Sequence, residues 1–368
     1  MNTITVPLQE RSYDVHVGSD LLQSLQTLVQ KVHQTTDCFF VLDQNIESTH
    51  GQKAAQSFGD GVKSFVLQAI ESNKTMQCVA SIWDAMLKDG ADRKGLVIAI
   101  GGGLTGDVGG FAAATYLRGV PVVQVPTTLL AMVDASIGGK TGINVPIVQE
   151  DGGVLLGKNL AGSFWQPTLV VADVSTLKTL DDRQMRCGLA ECVKHGMLGH
   201  PEVISFIQEN KQSIFARDEE VLISLVSQSV AIKAQVVAQD EREQGSRALL
   251  NLGHTFAHAI EPMSELDLYH GEAVAIGLCA ACSCGEALGM IDAEYADDIR
   301  TLLAEIGLPT RLPMPIELEN ALNLMAKDKK VEQAQIRLVL PTQDGATVVD
   351  EVDDGAIALA WASVGATS

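Results

Sequence analysis

The stretch LVIAIGGGLTGDVGGFAAATY, Leu96–Tyr116, puts an apolar run, a glycine cluster and a helix of small residues in direct succession. Leu96–Ile100 has the composition of a buried β-strand, and the glycines after it fit G-x-G-x-x-G at the start of a helix. Glycines there let the backbone approach a pyrophosphate at the helix N-terminus, which predicts a nucleotide-binding turn. The acidic residue expected about 20 positions later is absent, and Asp43 is the available upstream carboxylate.

Further strand signals surround this unit. Cys38–Leu42 is an apolar run that ends at Asp43, another strand begins near Val120, and Leu169–Val174 reads as the last strand. Polar residues at the carboxyl ends of such strands are where open α/β sheets bind ligands. From about residue 180 the helical period dominates, so the chain divides into an α/β part and a mainly helical part.

Composition narrows the class of protein. The chain has 368 residues, 46% of them apolar and 20% charged, which is typical of a soluble globular protein. Its formal charge of −20 argues against nucleic acid and anionic membrane surfaces as partners. Seven scattered cysteines, no secretory leader and no apolar run of about 18 residues predict a cytoplasmic protein without a membrane span.

Three of the eight histidines lie in Leu250–Gly277, LNLGHTFAHAIEPMSELDLYHGEAVAIG, with Glu261 and Glu272 beside them. His254 and His258 are four residues apart, which on a helix puts both imidazoles on one face, and His270 follows a short acidic loop. This spacing predicts a divalent metal site, most plausibly zinc, with two histidines and a carboxylate as ligands. The alternative is three structural histidines on the protein surface.

Glu191 is the candidate for the carboxylate ligand. It lies three residues before Lys194 in GLAECVKHG, among apolar neighbours that make an unpaired charge costly. Lys140 and Lys158 lie in glycine-rich segments where a lysine can approach a phosphate, or where it can simply be solvated. The cysteines of CAACSC, Cys279–Cys284, are interpreted as packing in an apolar helix, with metal ligation as the alternative.

Several longer motifs together resemble one enzyme family. They are GGGLTGDVGGFAAATYLRGVPVVQVPTTLLAMVDASIGGKTGIN, GKNLAGSFWQP, GLAECVKHG, DEREQGSRALLNLGHTFAHAIE, HGEAVAIG and DKKV. Their order and density from about residue 38 to 340 resemble the 3-dehydroquinate synthases of the sugar phosphate cyclase superfamily.

The resemblance implies a fold and two cofactors. An α/β Rossmann-like NAD-binding domain would span residues 1–177, and an all-α or mainly helical zinc- and substrate-binding domain would span residues 178–368. Zinc, or cobalt or another divalent ion in its place, would be held by Glu191, His254 and His270. His258 would then be a catalytic residue beside the substrate and not a ligand, in contrast to the simplest interpretation of the spacing. A homodimer is also implied.

The family's other contacts are carried over by position. Those similar to nucleotide contacts are Asp43, Asn45, Glu71, Lys74, Gly103, Leu104, Thr105, Gly106, Asp107, Thr127, Thr128, Lys140, Lys158, Thr176, Leu177, Lys178 and Thr179. Those similar to substrate contacts are Arg118, Asp134, Lys140, Asn159, Lys194, Lys233, Arg247, Asn251, His258 and either Lys329 or Lys330. The many basic side chains among them give an acidic protein the local positive charge that an anionic substrate needs.

The implied reaction converts 3-deoxy-D-arabino-heptulosonate 7-phosphate to 3-dehydroquinate and phosphate, a step of the shikimate pathway and aromatic amino acid biosynthesis. NAD oxidises an alcohol transiently, phosphate is eliminated, the hydride returns, and an internal aldol closes the ring, with zinc lowering the pKa of the alcohol. Lys140, Asn159, Lys194 and Arg118 would grip the phosphate or carboxylate. Lys233, Arg247 and His258 would order hydroxyls and move protons.

Three rival functions remain at this point. A sister cyclase would act on sedoheptulose 7-phosphate, but such relatives lack the second histidine of GHTFAH, here His258. A metal- and NAD-dependent polyol dehydrogenase explains the histidines but not so many lysines. A zinc-stabilised nucleotide-binding protein would have no turnover.

One segment departs from the family pattern. Most relatives run directly from the proline matching Pro146 into LGKN, whereas this chain has nine further residues, IVQEDGGVL, and has Val145 where histidine is common. We hypothesise that these nine residues, 147–155, alter lid mobility or subunit contacts.

Overall fold

The computed structural model describes residues 1–34, 37–59, 61–148, 152–328 and 337–367. Contacts divide the chain into two compact units. The first unit comprises residues 1–180 and 217–241, and the second comprises residues 181–216 and 242–368. The sequence analysis predicted a single division at residue 177. It did not predict that residues 217–241 belong to the first unit.

The first unit is built on a sheet that has seven strands within the described residues, in the order β1-β2-β9-β6-β5-β3-β4. The pair β1–β2 is antiparallel and the other neighbours are parallel. The strands are β1 Asn2–Val6, β2 Tyr13–Gly18, β3 Cys38–Asp43, β4 Lys63–Leu67, β5 Leu96–Gly101, β6 Val122–Pro126 and β9 Leu169–Asp173. The predicted strands near residues 38, 96, 120 and 169 are therefore present.

Both faces of this sheet are buried, which explains the unbroken apolar runs. Phe40 and Ile98 belong to a core on one face, with α1 Leu25–Val32 and α2 Gln52–Phe58. Phe39 and Val97 belong to a core on the opposite face, with α3 Met76–Lys88 and α4 Gly103–Thr115. This is a doubly wound α/β arrangement, as predicted. A separate hairpin is formed by β7 Lys140–Val148 and β8 Val154–Phe164.

The long helix α7, Glu219–Gln239, completes the first unit and packs against β1 and β2. By length and composition alone it could cross a membrane, and the sequence analysis did not single it out. Half of its most apolar 18-residue window is buried within the protein. That burial is typical of the core helix of a soluble domain.

The second unit is mainly helical, with one hairpin, β10 Leu338–Thr342 and β11 Gly345–Val349, so it is not strictly all-α. Its helices within the described residues are α5 Asp182–Met197, α6 Pro201–Phe215, α8 His254–Ile260, α9 His270–Ala287, α10 Ala293–Glu305, α11 Leu318–Asp328 and α12 Asp354–Ser363. Every residue of α9 from Ala273 to Gly285 is buried, and α5, α8, α10 and α12 pack around it. Cys279, Cys282 and Cys284 lie in this core, which agrees with their interpretation as packing residues.

Candidate nucleotide site and metal centre

The carboxyl ends of β3, β5 and β6 form one edge of the sheet in the first unit. The chain leaves β3 toward β4 on one side and leaves β5 toward β6 on the other, so β3 and β5 flank a topological switch point. Ligands of open α/β sheets bind in the crevice at such a point. Asp43 ends β3, Gly101 ends β5, and the amide of Thr127 after β6 donates to the carbonyl of Gly101 at 2.9 Å.

The glycine turn after β5 is packed too closely for side chains. A Cβ on Gly101 would lie 2.7 Å from Thr105 Oγ1 and 2.9 Å from Asp43 Cβ, and one on Gly106 would lie 2.8 Å from Gln124 Oε1. The turn therefore presents backbone at the start of α4, where N–H groups are left for an anion. The segment fits a dinucleotide phosphate, as its sequence predicted.

Asp43 lies beside this turn. Its Oδ1 accepts the amide of Asn45 at 2.9 Å, and burial raises the pKa of the Asp43 carboxyl although the amides of Asn45 and Gly102 oppose the shift. The side chain is thus held in place at the mouth of the turn. This position suits the ribose contact proposed for Asp43 from the sequence.

A polar network joins the start of α3 to the β7–β8 hairpin and α4. Lys74 Nζ donates to Asp107 Oδ2 at 2.6 Å and to Asn159 Oδ1 at 2.5 Å. Asn144 donates to Glu71 Oε1 at 2.7 Å, and its own Oδ1 accepts the amide of Asn159 at 2.9 Å. Four residues predicted to contact nucleotide or substrate therefore form one group, and Asn144 at its centre was missing from the predicted set.

Other predicted residues are more dispersed. Lys140 stands opposite Phe164 at one end of the hairpin, whereas Lys158 follows Gly157, which stands opposite Val145, so the two lysines are not on adjacent rungs. Arg118 is exposed beyond the C-terminal end of α4, about 20 Å of helix from the glycine turn. The structure does not bring Arg118 to that turn within one chain.

Asp134 and Lys233 form a pair inside the first unit. Lys233 is buried on α7 and its Nζ lies 2.5 Å from both the carbonyl and Oδ1 of Asp134. The predicted domain division placed Lys233 with the metal-binding half of the chain. Its assignment to the first unit follows from the return of α7, which the sequence did not reveal.

The turn after β9 contains the predicted contacts Thr176–Thr179 in a 3₁₀ helix. Thr176 and Leu177 are buried, and Lys178 pairs with Glu219 at 2.5 Å. Thr179 Oγ1 lies 2.7 Å from His50 Nε2. Of the four predicted contacts, two are therefore buried and the other two bind side chains of the first unit.

In the second unit, three helices bring Glu191, His254 and His270 together. One potential ligand atom from each lies within 4.8 Å of the others. Glu191 is on α5, and the histidines are the first residues of α8 and α9. Gly253, with φ +75°, makes the turn that starts α8, and a Cβ there would lie 2.9 Å from the Leu278 amide of α9. The close approach of α8 to α9 therefore depends on this glycine.

Each imidazole of the cluster is held from its outer side. His254 Nδ1 lies 3.2 Å from the Leu252 carbonyl, and His270 Nδ1 lies 3.3 Å from Glu261 Oε2. Both Nε2 atoms face Glu191 Oε1, at 3.6 Å and 3.5 Å. An acceptor at Nδ1 fixes the tautomer whose Nε2 lone pair points inward, as in protein zinc sites. Two nitrogens and a carboxylate oxygen are donors that zinc accepts.

The charges in this centre are strongly coupled. Burial alone would raise the pKa of Glu191, but Lys194 and the two imidazoles hold the pKa of that carboxyl well below its usual range. Burial also lowers the pKa of His254 to about 3, whereas Glu191 and Glu261 overcome burial and raise the pKa of His270 to about 10. A metal ion would therefore have to displace the proton from His270 Nε2 before that nitrogen could act as a ligand. Glu191 is thus ionised in a buried setting, ready to bind a cation.

His258 lies one turn beyond His254, with ring centroids 5.4 Å apart, and it is in no group of potential metal ligands found among the described residues. The simplest HxxxH interpretation is therefore not the one that the geometry favours. Lys194 forms an ion pair with Glu191, Arg247 is buried, and Asn251 Nδ2 donates to Glu243 Oε1 at 2.8 Å. Lys329 and Lys330 lie outside the described residues.

Sequence reasoning assigned no role to three residues that support these sites. Glu261 orients His270, Asn144 anchors Asn159, and Arg183 binds Glu272 next to His270. The sequence did place Glu261 and Glu272 beside the histidines. No pattern along the chain joins Arg183 to Glu272, because 89 positions separate them.

Two family models cover most of the chain. The model of the 3-dehydroquinate synthase N-terminal domain matches residues 64–187, and that of the C-terminal domain matches residues 188–331. The 3-dehydroquinate synthase of Acinetobacter baumannii (strain AYE) is 43% identical over 352 residues, which cover 95% of each chain.

Solved structures show the same fold. ValA, a 2-epi-5-epi-valiolone synthase from Streptomyces hygroscopicus subsp. jinggangensis 5008 with bound NAD+ and Zn2+, matches with a TM-score of 0.84, 27% identity and 96% coverage of both chains. A 2-deoxy-scyllo-inosose synthase complexed with carbaglucose-6-phosphate, NAD+ and Co2+ matches with a TM-score of 0.83 and 24% identity, over 97% of this chain and 98% of the other.

Proposed function

The chain belongs to the 3-dehydroquinate synthase family, and from this premise we propose which of its residues hold the cofactors and the substrate. It is an enzyme of the shikimate pathway, and it converts 3-deoxy-D-arabino-heptulosonate 7-phosphate to 3-dehydroquinate and phosphate. It depends on NAD and a divalent metal ion. Relatives at 40–43% identity carry this activity, which favours it over that of a sister cyclase or a dehydrogenase.

We propose that the first unit binds NAD at the carboxyl edge of its sheet. The start of α4 would receive the pyrophosphate, because the first amides of a helix have no partner within the helix and the segment after β5 begins with glycines. Asp43 would contact a ribose, since it is the carboxylate at the switch point. The network of Glu71, Lys74, Asp107 and Asn159 would then order the hairpin against the nucleotide. The remaining nucleotide contacts stay as predicted from the sequence.

We propose zinc, with cobalt as a substitute, at Glu191, His254 and His270. The observation that carries this proposal is the convergence of two Nε2 atoms on Glu191 Oε1 while both Nδ1 atoms face outer acceptors. When bound, NAD supplies a reversible hydride acceptor and zinc a Lewis acid for a substrate alcohol.

The chain's own residues would bind substrate and move protons. In the second unit, Lys194 would bind an anionic group, Arg247 and Asn251 would order hydroxyls, and His258 would transfer a proton. In the first unit, Asp134 would hold Lys233 by their ion pair, and Lys140 and Asn159 would bind anionic or hydroxyl groups. Arg118 and one of Lys329 or Lys330 are proposed on the family pattern alone.

We also propose a cytoplasmic homodimer. All seven cysteines are free thiols, which suits a reducing compartment. For assembly, the β7–β8 hairpin has exposed apolar residues, among them Val148 and Leu156. Such a patch suits a contact with a second copy.

One assay tests the proposed function. The purified protein is given NAD, zinc and the seven-carbon acid phosphate, and phosphate release is followed together with the absorbance of reduced nicotinamide. We expect stoichiometric phosphate without net reduction. Accumulating NADH would indicate a dehydrogenase, turnover only with sedoheptulose 7-phosphate would indicate a sister cyclase, and no turnover with intact NAD and zinc binding would indicate a non-catalytic protein.

A further inference from the structure

We infer that Arg183 is a positioning residue that sets the separation between Glu191 and His270. The inference rests on the proposed metal centre and extends it to a residue that contacts neither ligand. It is carried by the way in which the first turn of α9 lies along α5, within the second unit.

Three contacts join these helices in order. Arg183, Cys187 and Glu191 are four residues apart on α5 and therefore share one face. Arg183 binds Glu272, Cys187 contacts Gly271, and Glu191 faces His270. Three residues spaced along α5 thus meet three consecutive residues of α9, in reverse order. The last of the three contacts is the pair of proposed ligands.

The first contact is a bidentate ion pair. Arg183 Nε donates to Glu272 Oε1 at 2.7 Å, and a terminal nitrogen donates to Oε2 at 2.8 Å. Glu272 Oε2 also accepts the amide of Tyr269 at 2.8 Å, and the guanidinium lies 3.8 Å from the centroid of the Tyr269 ring. Arg183 therefore contacts one residue before His270, Tyr269, and one residue two positions after it, Glu272, and its paired hydrogen bonds fix the geometry of the second contact.

The middle contact has no room for adjustment. A Cβ on Gly271 would lie 2.3 Å from Cys187 Cα and 2.4 Å from the Cys187 carbonyl oxygen, so the two backbones touch there. A tilt of α9 about this point would move Glu272 and His270 relative to α5. By binding Glu272 on one side of the Gly271–Cys187 contact, Arg183 limits that tilt. In this way it influences the position of His270 without contacting it.

A second contact limits the expected effect. Glu261 holds His270 Nδ1 at 3.3 Å and remains in place without Arg183. Loss of Arg183 should therefore weaken the metal site without abolishing it. Substitution of a residue bonded directly to a metal ligand typically lowers metal affinity about 10–100-fold, so the loss of Arg183, which acts on His270 indirectly, should fall at or below the lower end of that range.

The test measures zinc affinity of the full-length protein by competition with a chromophoric chelator. Arg183→Met should raise the zinc Kd about 5–10-fold, at or below the lower end of the range for a direct partner of a ligand, and the visible absorption bands of the cobalt-loaded protein should shift as ligand geometry changes. Arg183→Lys keeps the positive charge but cannot form the two parallel hydrogen bonds to Glu272, so it should give a smaller increase in the zinc Kd.

The matched control is Arg186→Met. Arg186 is also on α5 and its charge helps to lower the pKa of Glu272, but its hydrogen bond goes to the Ile306 carbonyl at 3.2 Å and its guanidinium lies over Phe215. We expect this variant to keep the wild-type zinc Kd and cobalt spectrum, even if its melting temperature falls.

The inference is overturned if Arg183→Met binds zinc within about twofold of wild type with an unchanged cobalt spectrum, or if Arg186→Met weakens zinc equally. If Arg183→Met does not fold, Arg183→Lys decides by the same criteria. Failure of the wild-type protein to bind zinc would instead contradict the proposed metal centre.

Discussion

The proposed nucleotide-binding edge of the first unit and the proposed metal centre of the second are built from different kinds of structure. At the carboxyl edge of the sheet, the proposed binding surface is the backbone at the strand ends. Its close packing requires glycine at positions 101 and 106, where a Cβ would clash with neighbouring side chains. In the metal centre, three side chains from separate helices must meet within 4.8 Å. The first depends on local packing within one motif, and the second depends on the register between helices.

Removal of a metal ligand should separate the two regions most sharply. We expect Glu191→Gln or His254→Ala to lower turnover at least about 10³-fold, because a Lewis acid supplies several kcal/mol of the barrier reduction. Zinc content should fall, while NAD affinity of the first unit stays within about threefold. Metal analysis, turnover and NAD titration check this. The histidine control is His200→Ala, since His200 lies outside the proposed metal centre and pairs with nearby Glu202 at 3.1 Å. Retained zinc in His254→Ala would contradict the assignment.

A methyl group at Gly101 should produce the opposite pattern. Gly101→Ala would press on Thr105 and Asp43, and overpacking of this kind costs about 1–3 kcal/mol. We expect a roughly 5–100-fold rise in the NAD Kd, with zinc affinity unchanged. Gly285→Ala is the control, because its methyl would meet Pro341 at an ordinary 3.4 Å. Equal NAD affinity in Gly101→Ala and wild type would refute the proposed phosphate position.

Asn144 tests whether the hairpin is held by side chains. Asn144→Ala leaves Glu71 and the Asn159 amide without the contacts that it supplies, and unsatisfied polar groups cost about 1–3 kcal/mol. We expect NAD affinity to fall about tenfold and the free energy of unfolding to decrease by about 1–2 kcal/mol. Calorimetry and denaturant titration measure both, with Asn210→Ala on α6 as control. An unchanged NAD Kd would leave Asn144 a purely structural residue.

The smallest effect concerns the nine additional residues. Replacement of residues 147–155 by Asn-Gly, which forms a two-residue hairpin turn, removes Val148, whose exposed fraction is 74%. We expect weaker self-association in sedimentation experiments and unchanged zinc affinity. Leu359→Ser, at another exposed apolar residue, controls for general surface effects. Unchanged assembly and turnover would rule out the role hypothesised for this segment.

The contrast between the regions also explains what sequence reasoning could reach. The glycine turn and strand ends are contiguous, so their positions could be predicted from the sequence, and their proposed role in nucleotide binding stays a prediction. Glu191 was chosen from the sequence because an unpaired carboxylate among apolar neighbours is costly, whereas the pairing of His254 with His270 followed from the family resemblance and spacing alone favoured His254 with His258. Glu261, Arg183 and Asn144 act through partners that are distant in the chain or on other elements, and no local pattern encodes such partnerships. The sequence also did not reveal that α7 belongs to the first unit, because its contacts are with β1 and β2, which are distant in the chain.

The return of α7 to the first unit has a consequence for how the protein is made. The first unit is not finished at residue 180, because α7 must still cover β1 and β2 and supply Lys233. During synthesis, therefore, at least 241 residues have to leave the ribosome before the nucleotide-binding half can close its core. A gene truncated after codon 180 would encode a fragment in which β1 and β2 lack their contacts with α7. We expect such a fragment to bind chaperones or to aggregate, because apolar surface that α7 covers would be exposed. The two units can be distinguished in the structure, but a single cut in the chain cannot separate them.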